Sequence, residues 1–117
     1  NKSIITSIKL HNYQEIFSSK ILNELEFKRR QSQPTNELSC GCIFKNPSND
    51  FAARLIEKAD LKGSRVGGIS ISKKHSNYFI NDGNGTAEDF INLINNVKEK
   101  VLEKYKIKLE EEVIIIK

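Results

Sequence analysis

The sequence predicts an α+β domain in which about three helices pack with a small mixed sheet. Three stretches carry apolar residues at helical spacing, and several short runs rich in β-branched residues have the length of strands. Helices and strands do not alternate in the strict β-α-β order that builds a parallel sheet. The 117 residues are enough for one modest hydrophobic core and too few for two.

The first predicted elements are a strand over residues 3–10, rich in Ile and Thr, and an amphipathic helix over residues 14–31. Asn12 can cap this helix. Its apolar residues recur at helical spacing and are Phe17, Ile21, Leu22 and Leu25. A polar loop containing Pro34 then leads to a short strand over residues 42–44.

A second helix is predicted after Asn46-Pro47, where residues 48–50 can cap its first turn. One side of this helix is apolar and carries Phe51, Ala52, Leu55 and Ile56. Two short strands follow over residues 66–71 and 77–80, separated by a basic turn, and we expect them to pair as neighbours.

The third helix follows the turn cluster at residues 81–85, and Thr86 with Asp89 forms a capping-box pattern at its start. Its apolar stripe predicts a buried face, not a binding site, and consists of Phe90, Ile94, Val97, Val101 and Tyr105. A last strand is predicted within residues 109–116, where an acidic run precedes the apolar residues 113–116.

Composition limits the possible functions. The net charge of +4 favours anionic partners, whether nucleic acid, a nucleotide-sugar or acidic surfaces. No run approaches the roughly 20 apolar residues of a membrane span, and no signal-peptide pattern is present. The chain begins at Asn1 without an initiator Met, which suggests a piece of a longer protein. Cys40 and Cys42 are too close for an unstrained disulfide and too few for a zinc site, which predicts free thiols in a reducing compartment.

The pattern Cys40-Gly41-Cys42 is the first candidate for chemistry. On a strand both thiols would share one face, and Gly41 would allow a ligand or the backbone to approach closely. A thiol is mostly protonated at neutral pH and suits a general acid. The alternative is two small buried hydrophobic residues. Glu112 is the member of an acidic triplet that we expect to be partly buried, because it precedes Val113.

Basic residues in loops can gather around phosphates, or can simply solubilise the surface. They are Arg29, Arg30, Lys62, Lys73, Lys74 and His75. Asn46 offers an amide that can bind a ligand or cap the following helix. Gly67-Gly68 matches no nucleotide-binding motif, and a bulge or tight packing would explain it.

Taken together in their order and spacing, several motifs resemble the C-terminal domain of the UDP-N-acetylenolpyruvoylglucosamine reductase (MurB) family. They are Gln33-Pro34, Cys40-Gly41-Cys42-Ile43-Phe44-Lys45-Asn46-Pro47, Ala53-Arg54-Leu55-Ile56-Glu57, Leu61-Lys62-Gly63, Arg65-Val66-Gly67-Gly68, Lys74-His75-Ser76-Asn77-Tyr78-Phe79-Ile80-Asn81 and Leu109-Glu110-Glu111-Glu112-Val113. The resemblance implies that residues 1–12 are the closing strand and linker of an FAD-binding domain that is otherwise absent. Residues 13–117 are then the substrate-binding domain.

The resemblance also implies a function. The family reduces UDP-N-acetylglucosamine enolpyruvate to UDP-N-acetylmuramate with FAD and NADPH, and without a metal. Such an enzyme is a cytoplasmic flavoprotein oxidoreductase that serves peptidoglycan synthesis, and hence cell-wall biogenesis, cell shape and cell division. The expected partners are the UDP-sugar substrate and the missing FAD-binding domain, with no nucleic acid and no membrane. This fragment alone is expected to be inactive.

Individual roles follow from the same resemblance. Cys42 stands where the family usually has the serine that donates a proton to the substrate, and Glu112 matches its active-site glutamate. The Arg that commonly follows this Glu-Val pair is replaced by Ile114. The residues implied in binding the substrate are Arg30, Asn46, Lys62 and His75.

A different class of function stays open at this stage, which is a small basic module that binds RNA or a protein partner. The sequence argues against it, because the basic residues are interspersed with acidic ones and aromatic residues make up only 8% of the chain.

Overall fold

The structure, a computed structural model, describes residues 6–9 and 19–116. The helices in this part are α1 (Ser19–Ser32), α2 (Ala52–Lys58) and α3 (Ala87–Tyr105), and the strands are β1 (Arg65–Val66), β2 (Ile69–Ile71) and β3 (Phe79–Asn81). The predicted α+β class with three helices is confirmed. The strand predicted over residues 3–10 and the division at residue 12 lie largely outside the described residues and stay predictions.

The sheet has the strand order β1-β2-β3, and both pairings are antiparallel. The predicted pairing of the two strands around the basic turn is confirmed as β2 with β3. Residues 66–71 were expected to form a single strand, but the chain reverses at Gly67-Gly68 and forms a hairpin. The predicted mixed sheet is therefore wrong. The sheet is antiparallel, because such short connections can join only antiparallel neighbours.

Gly67 and Gly68 are needed at this turn for two reasons. Gly67 has φ = +51°, which is in the left-handed region that side chains other than glycine rarely adopt. A Cβ on Gly68 would overlap the backbone nitrogen of Gly85. The tight packing proposed from the sequence is therefore confirmed, and it fixes the hairpin against the turn before α3.

Residues 42–44 form a seam between the sheet and the C-terminal segment. Cys42 forms an isolated bridge with Tyr78, and Phe44 forms another with Glu111. The predicted strand over residues 42–44 is thus reduced to two bridges. The predicted strand over residues 109–116 is wrong beyond Glu111, because residues 112–116 take up no strand and are mostly exposed.

The core lies between α3, α2 and the sheet. Its most deeply buried members come from all of these elements and from the seam: Ile43, Phe44, Ile56, Ile71, Phe79, Leu93, Ile94, Val97, Val101 and Leu109. Burying one such side chain contributes about 1.5–3 kcal/mol. The stripe predicted on α3 is the main helical contribution, with Phe90 and Tyr105 partly buried at its ends.

The N-termini of α3 and α2 differ in how they are capped. At α3 the capping box is confirmed, since the Thr86 hydroxyl accepts from the backbone of Asp89 at 3.1 Å and the Asp89 carboxylate accepts from the backbone of Thr86 at 2.9 Å. At α2 the predicted cap from residues 48–50 is wrong. Phe51 occupies the N-cap position without a side-chain hydrogen bond and is exposed, and Asp50 instead pairs with Arg54.

The amphipathic helix expected over residues 14–31 is present as α1 from Ser19 onward, but no residue of it is buried. Ile21, Leu22 and Leu25 are each about half exposed, at 53%, 50% and 56%. Within the described residues α1 packs on no other helix and on no strand, so its apolar stripe faces solvent. Phe17, predicted on the same stripe, lies outside the described residues.

Candidate functional site

A cleft of about 430 Å³ separates the end of α1 from the sheet, and the loop over residues 33–41 closes one side of it. We call it the Tyr78 cleft, because Tyr78 is the residue of the sheet side that lines it. Arg29 and Arg30 line the cleft from α1, and Gly41 lines it beside Cys42. Glu26 and Glu37 also line it, so two arginines, two glutamates and the loop that carries the thiols meet at one place.

Cys42 is held beside Tyr78 by the backbone of the seam. The Ile43 N–H donates to the carbonyl of Asn77 at 2.9 Å, one residue beyond the Cys42–Tyr78 pair on each chain segment. This is the antiparallel geometry in which the paired residues exchange no backbone hydrogen bond and their side chains are closest. The Cys42 and Tyr78 side chains are consequently neighbours across the seam.

Burial raises the pKa of the Cys42 thiol, and the negative charge of Glu112 raises it further. The neighbouring side chains of Tyr78 and Asn77 act in the opposite direction and lower the pKa of the same thiol. The net effect is upward, so the thiol carries its proton at neutral pH. A group in that state can act as a general acid.

Neither thiol is deeply buried, since Cys42 is half-buried and Cys40 is exposed, and neither is in a disulfide. The alternative of two buried hydrophobic residues is therefore wrong, and the free thiols are confirmed. Among the described residues, no group of three or more His, Cys, Asp and Glu side chains is arranged to hold a metal ion.

Glu112 lies at the other side of Cys42. Its backbone N–H donates to the carbonyl of Ile43 at 2.8 Å, which brings the C-terminal segment against the seam. The expected partial burial of Glu112 is wrong, because the side chain is exposed: the chain bends after Glu111 and leaves the core. Its charge nevertheless acts on the pKa values of both Cys42 and Tyr78.

His75 packs against Tyr78, and Lys62 acts on His75 through its charge. The His75 ring packs edge-on against Tyr78 with 4.7 Å between centroids. Burial lowers the pKa of His75, and the charge of Lys62 lowers it further, so His75 is neutral at pH 7. Lys62 pairs with Glu57 at 3.0 Å on the surface. His75, Tyr78 and Cys42 are thus successive neighbours, and the charges of Lys62 and Glu112 act on His75 and Cys42 respectively; we call these five residues the row.

Arg30 and Asn46 have different positions. Arg30 pairs with Glu26 at 2.5 Å on the exposed face of α1, lines the Tyr78 cleft, and its carbonyl accepts from the Lys74 ammonium group. Asn46 lies apart from the row, in a separate cavity with residues 108–110. Its side-chain oxygen accepts from the Ala52 N–H at 3.0 Å, which confirms the capping alternative. The cap uses only the amide oxygen, so a ligand role for Asn46 stays a prediction.

Tyr78 and Asn77 are the residues that the sequence did not single out as functional. Burial raises the pKa of Tyr78, the neighbouring Cys42 adds to the rise, and the charge of Arg29 opposes it. The fully buried Asn77 side chain accepts from the Phe44 N–H at 3.0 Å and donates to the Phe44 carbonyl at 2.8 Å. Their roles depend on a partner more than 30 residues away, which periodicity cannot identify.

Within residues 6–9 and 19–116, no helix is both long enough and apolar enough to span a membrane.

Comparison with known proteins shows a consistent pattern. Residues 33–116 match the model of the family described as "UDP-N-acetylenolpyruvoylglucosamine reductase, C-terminal domain". A UDP-N-acetylenolpyruvoylglucosamine reductase 2 of Bacillus thuringiensis subsp. konkukian is 46% identical over 104 residues, which are 89% of this chain and 33% of that protein. A UDP-N-acetylenolpyruvoylglucosamine reductase of Fusobacterium nucleatum subsp. nucleatum is 45% identical over 101 residues, which are 86% of this chain and 36% of that protein.

A solved structure gives the same result. The crystal structure of UDP-N-acetylenolpyruvylglucosamine reductase (MurB) from Thermus caldophilus matches with a TM-score of 0.64 and 38% identity, over 80% of this chain and 33% of that one. The chain therefore spans about a third of the length of the relatives it matches. No comparison favours a basic module for RNA or a protein partner.

Proposed function

Because this chain belongs to the family of the UDP-N-acetylenolpyruvoylglucosamine reductase C-terminal domain, we propose that it is the substrate-binding and proton-donating part of such a reductase. The enzyme converts UDP-N-acetylglucosamine enolpyruvate to UDP-N-acetylmuramate with FAD and NADPH, in the cytoplasm, as a step of peptidoglycan synthesis. Residues 13–117 form the substrate domain, and residues 1–12 connect it to an FAD-binding domain. That domain and the UDP-sugar are its partners.

The flavin is assigned to the FAD-binding domain. Within residues 6–9 and 19–116 the Tyr78 cleft is open to solvent along α1, and none of its lining residues forms an enclosed cradle for a group as large as FAD. The residues described here do not fit the flavin by themselves, so the hydride is assigned to the rest of the enzyme. The chain alone is inactive under this proposal.

Cys42 is proposed as the proton donor. Its S–H bond breaks as a C–H bond forms on the carbanion-like carbon of the substrate, and the electron pair of the S–H bond stays on sulfur as a thiolate. Proton donation by a positioned side chain contributes roughly 10²- to 10⁴-fold to a rate. The raised pKa of Cys42 supports this role, because the proton is in place at neutral pH.

Glu112 is the second proposed catalytic residue. Its position next to Cys42 favours the protonated thiol before the reaction, and an exposed carboxylate can reach the substrate at the open side of the cleft. Because Glu112 repels a thiolate at the same time, it also favours return of a proton to the sulfur after each turnover.

Lys62, His75, Arg30 and Asn46 are proposed to bind the UDP-sugar. The exposed ion pair of Lys62 with Glu57 contributes only about 0–1 kcal/mol, so Lys62 can exchange it for a diphosphate at little cost. Arg30 can bind a phosphate with two parallel hydrogen bonds after leaving Glu26. Neutral His75 offers one N–H donor, and Asn46 an amide.

The observation that supports the proposal is the row from Lys62 to Glu112 inside the matched region, because it links a cationic side chain to a protonated thiol through neighbouring residues. Isothermal titration of the chain with UDP-N-acetylglucosamine enolpyruvate tests it. We expect saturable binding that Lys62→Ala weakens about threefold to tenfold, the size of one hydrogen bond to a charged group at an exposed position.

Two controls make this titration specific. Lys100→Ala removes an exposed lysine from α3, away from the cleft, and should leave the affinity unchanged. Cys42→Ala should also leave it nearly unchanged, because a proton donor contributes in the transition state more than in the ground state. Absence of saturable binding at millimolar ligand, or equal losses for Lys62→Ala and Lys100→Ala, contradicts the proposal.

A further inference from the structure

The pairing of Cys42 with Tyr78 is the feature that the proposed function does not use. The two residues face each other across the seam in the closest kind of antiparallel pair, and Tyr78 also lines the cleft. Among the described residues no hydrogen bond of standard geometry joins the phenol to the thiol, although each group influences the ionisation of the other. The two side chains are thus neighbours without a hydrogen bond between them.

Backbone hydrogen bonds fix the main chain at Tyr78, and the His75 ring contacts the Tyr78 ring. The Tyr78 N–H donates to the carbonyl of His75 and the Tyr78 carbonyl accepts from the Ser72 N–H, both at 2.9 Å. The His75 ring packs edge-on against one side of the phenol. A side chain fixed in this way loses little conformational entropy when its hydroxyl forms a further hydrogen bond.

We propose that Tyr78 is a positioning residue for Cys42: its hydroxyl donates a hydrogen bond to the sulfur and stabilises the thiolate that remains after the proton has left. The inference rests on the proposed function for the identity of Cys42 as proton donor. No covalent bond of Tyr78 changes, and the phenol keeps its proton throughout.

The charges around the pair explain why such a donor matters. Burial and the carboxylate of Glu112 both disfavour a charged sulfur, so two separate effects oppose proton loss from Cys42. The groups that favour the thiolate are Tyr78 and Asn77. Arg29 lines the same cleft from α1, and its charge offsets part of the rise in the pKa of Tyr78.

The test is the pH dependence of alkylation of Cys42 by iodoacetamide, which reacts with the thiolate. The parent for this test is Cys40→Ser, in which Cys42 is the remaining cysteine of the chain. Adding Tyr78→Phe removes the hydroxyl and keeps the ring. We expect the reactivity profile to move to higher pH and the rate at pH 7 to fall about threefold to tenfold, the size of the net contribution of a typical intramolecular hydrogen bond.

Tyr105→Phe is the matched control, because it removes a phenol hydroxyl from the end of α3, on the other side of the core. It should leave the profile unchanged. An identical profile for Tyr78→Phe and its parent, with circular dichroism showing both folded, overturns the inference. So does an equal shift in Tyr105→Phe.

A reciprocal measurement covers the case in which Tyr78→Phe does not fold. The charge of Cys42 raises the pKa of Tyr78, so Cys42→Ala should move the ionisation of Tyr78, followed by its ring signals in NMR, to lower pH. An unchanged titration of Tyr78 in Cys42→Ala counts against the pairing.

These measurements need neither flavin nor UDP-sugar, which separates them from the titration of substrate binding. If the thiol profile is insensitive to Tyr78 while UDP-sugar binding persists, only the role of Tyr78 is lost. If UDP-sugar does not bind while the profile shifts, the proposed function fails and the pairing stands.

Discussion

Asn77 is the residue on which the position of Cys42 depends most directly, and Asn77→Ala is the perturbation that tests this. Its side chain accepts from the Phe44 N–H at 3.0 Å and donates to the Phe44 carbonyl at 2.8 Å, and its own carbonyl accepts from the Ile43 N–H at 2.9 Å. Asn77 and Phe44 are both buried, at 2% and 1% exposure. Alanine keeps the last of these bonds and removes the two from the side chain.

The magnitude follows from the groups left behind. The Phe44 N–H and carbonyl both lose their partner inside the core, and each unsatisfied buried group costs about 1–3 kcal/mol. The sum is about 2–6 kcal/mol, and we expect a loss near 3 kcal/mol because the new cavity admits some relaxation. For a domain of this size such a loss lowers the melting temperature by roughly 12–24 °C.

Urea unfolding followed by circular dichroism measures the loss, with Asn95→Ala as the matched control on the exposed face of α3. The control should change the free energy of unfolding by less than about 0.5 kcal/mol. A loss below about 1 kcal/mol, or one equal to that of Asn95→Ala, would refute the account of the seam.

Three further predictions test the fold around the site. Gly68→Ala should destabilise the chain by more than 1 kcal/mol in urea unfolding, because its Cβ overlaps the backbone nitrogen of Gly85; a neutral effect would contradict the packing of the hairpin. Thr86→Ala should cost about 1 kcal/mol by loss of the α3 cap, whereas Thr35→Ala, in an exposed loop, should cost little; equal effects would count against the cap. His75 has a lowered pKa in the folded state, so the unfolded chain binds more protons below pH 6.5 and stability falls as the pH decreases through that region. In His75→Gln the melting temperature should depend less on pH there, and an unchanged slope would show that His75 is not the group responsible.

Local sequence patterns predicted local structure well. The third helix, its buried stripe and its capping box are all confirmed, because each depends on residues within a few positions of one another. Residues 66–71 were predicted to be one strand, whereas the chain turns at Gly67-Gly68 and forms a hairpin. Two consecutive glycines are compatible with such a turn. Periodicity alone does not distinguish one strand of six residues from two shorter ones.

Features that depend on distant partners could not be predicted. The stripe of α1 has the same spacing as that of α3, yet it faces solvent, because spacing identifies a face and not what covers it. The burial of Glu112 was misjudged for the same reason, since it depends on the bend after Glu111. Tyr78 entered the site only through its pairing with a residue 36 positions earlier, Cys42.

The backbone hydrogen bonds of the seam matter for the proposed role of Cys42 as proton donor, because the family pattern usually has a serine at this position. Ile43 is bonded on one side to Asn77 and on the other to Glu112, so the backbone beside Cys42 is fixed independently of the side chain at position 42. A thiol forms weaker hydrogen bonds than a hydroxyl and so contributes little to its own placement, and this backbone support compensates for it. A thiol also loses its proton more readily, but the resulting thiolate needs stabilisation in a half-buried place beside a carboxylate. The phenol of Tyr78 lies beside the sulfur, where such stabilisation is needed.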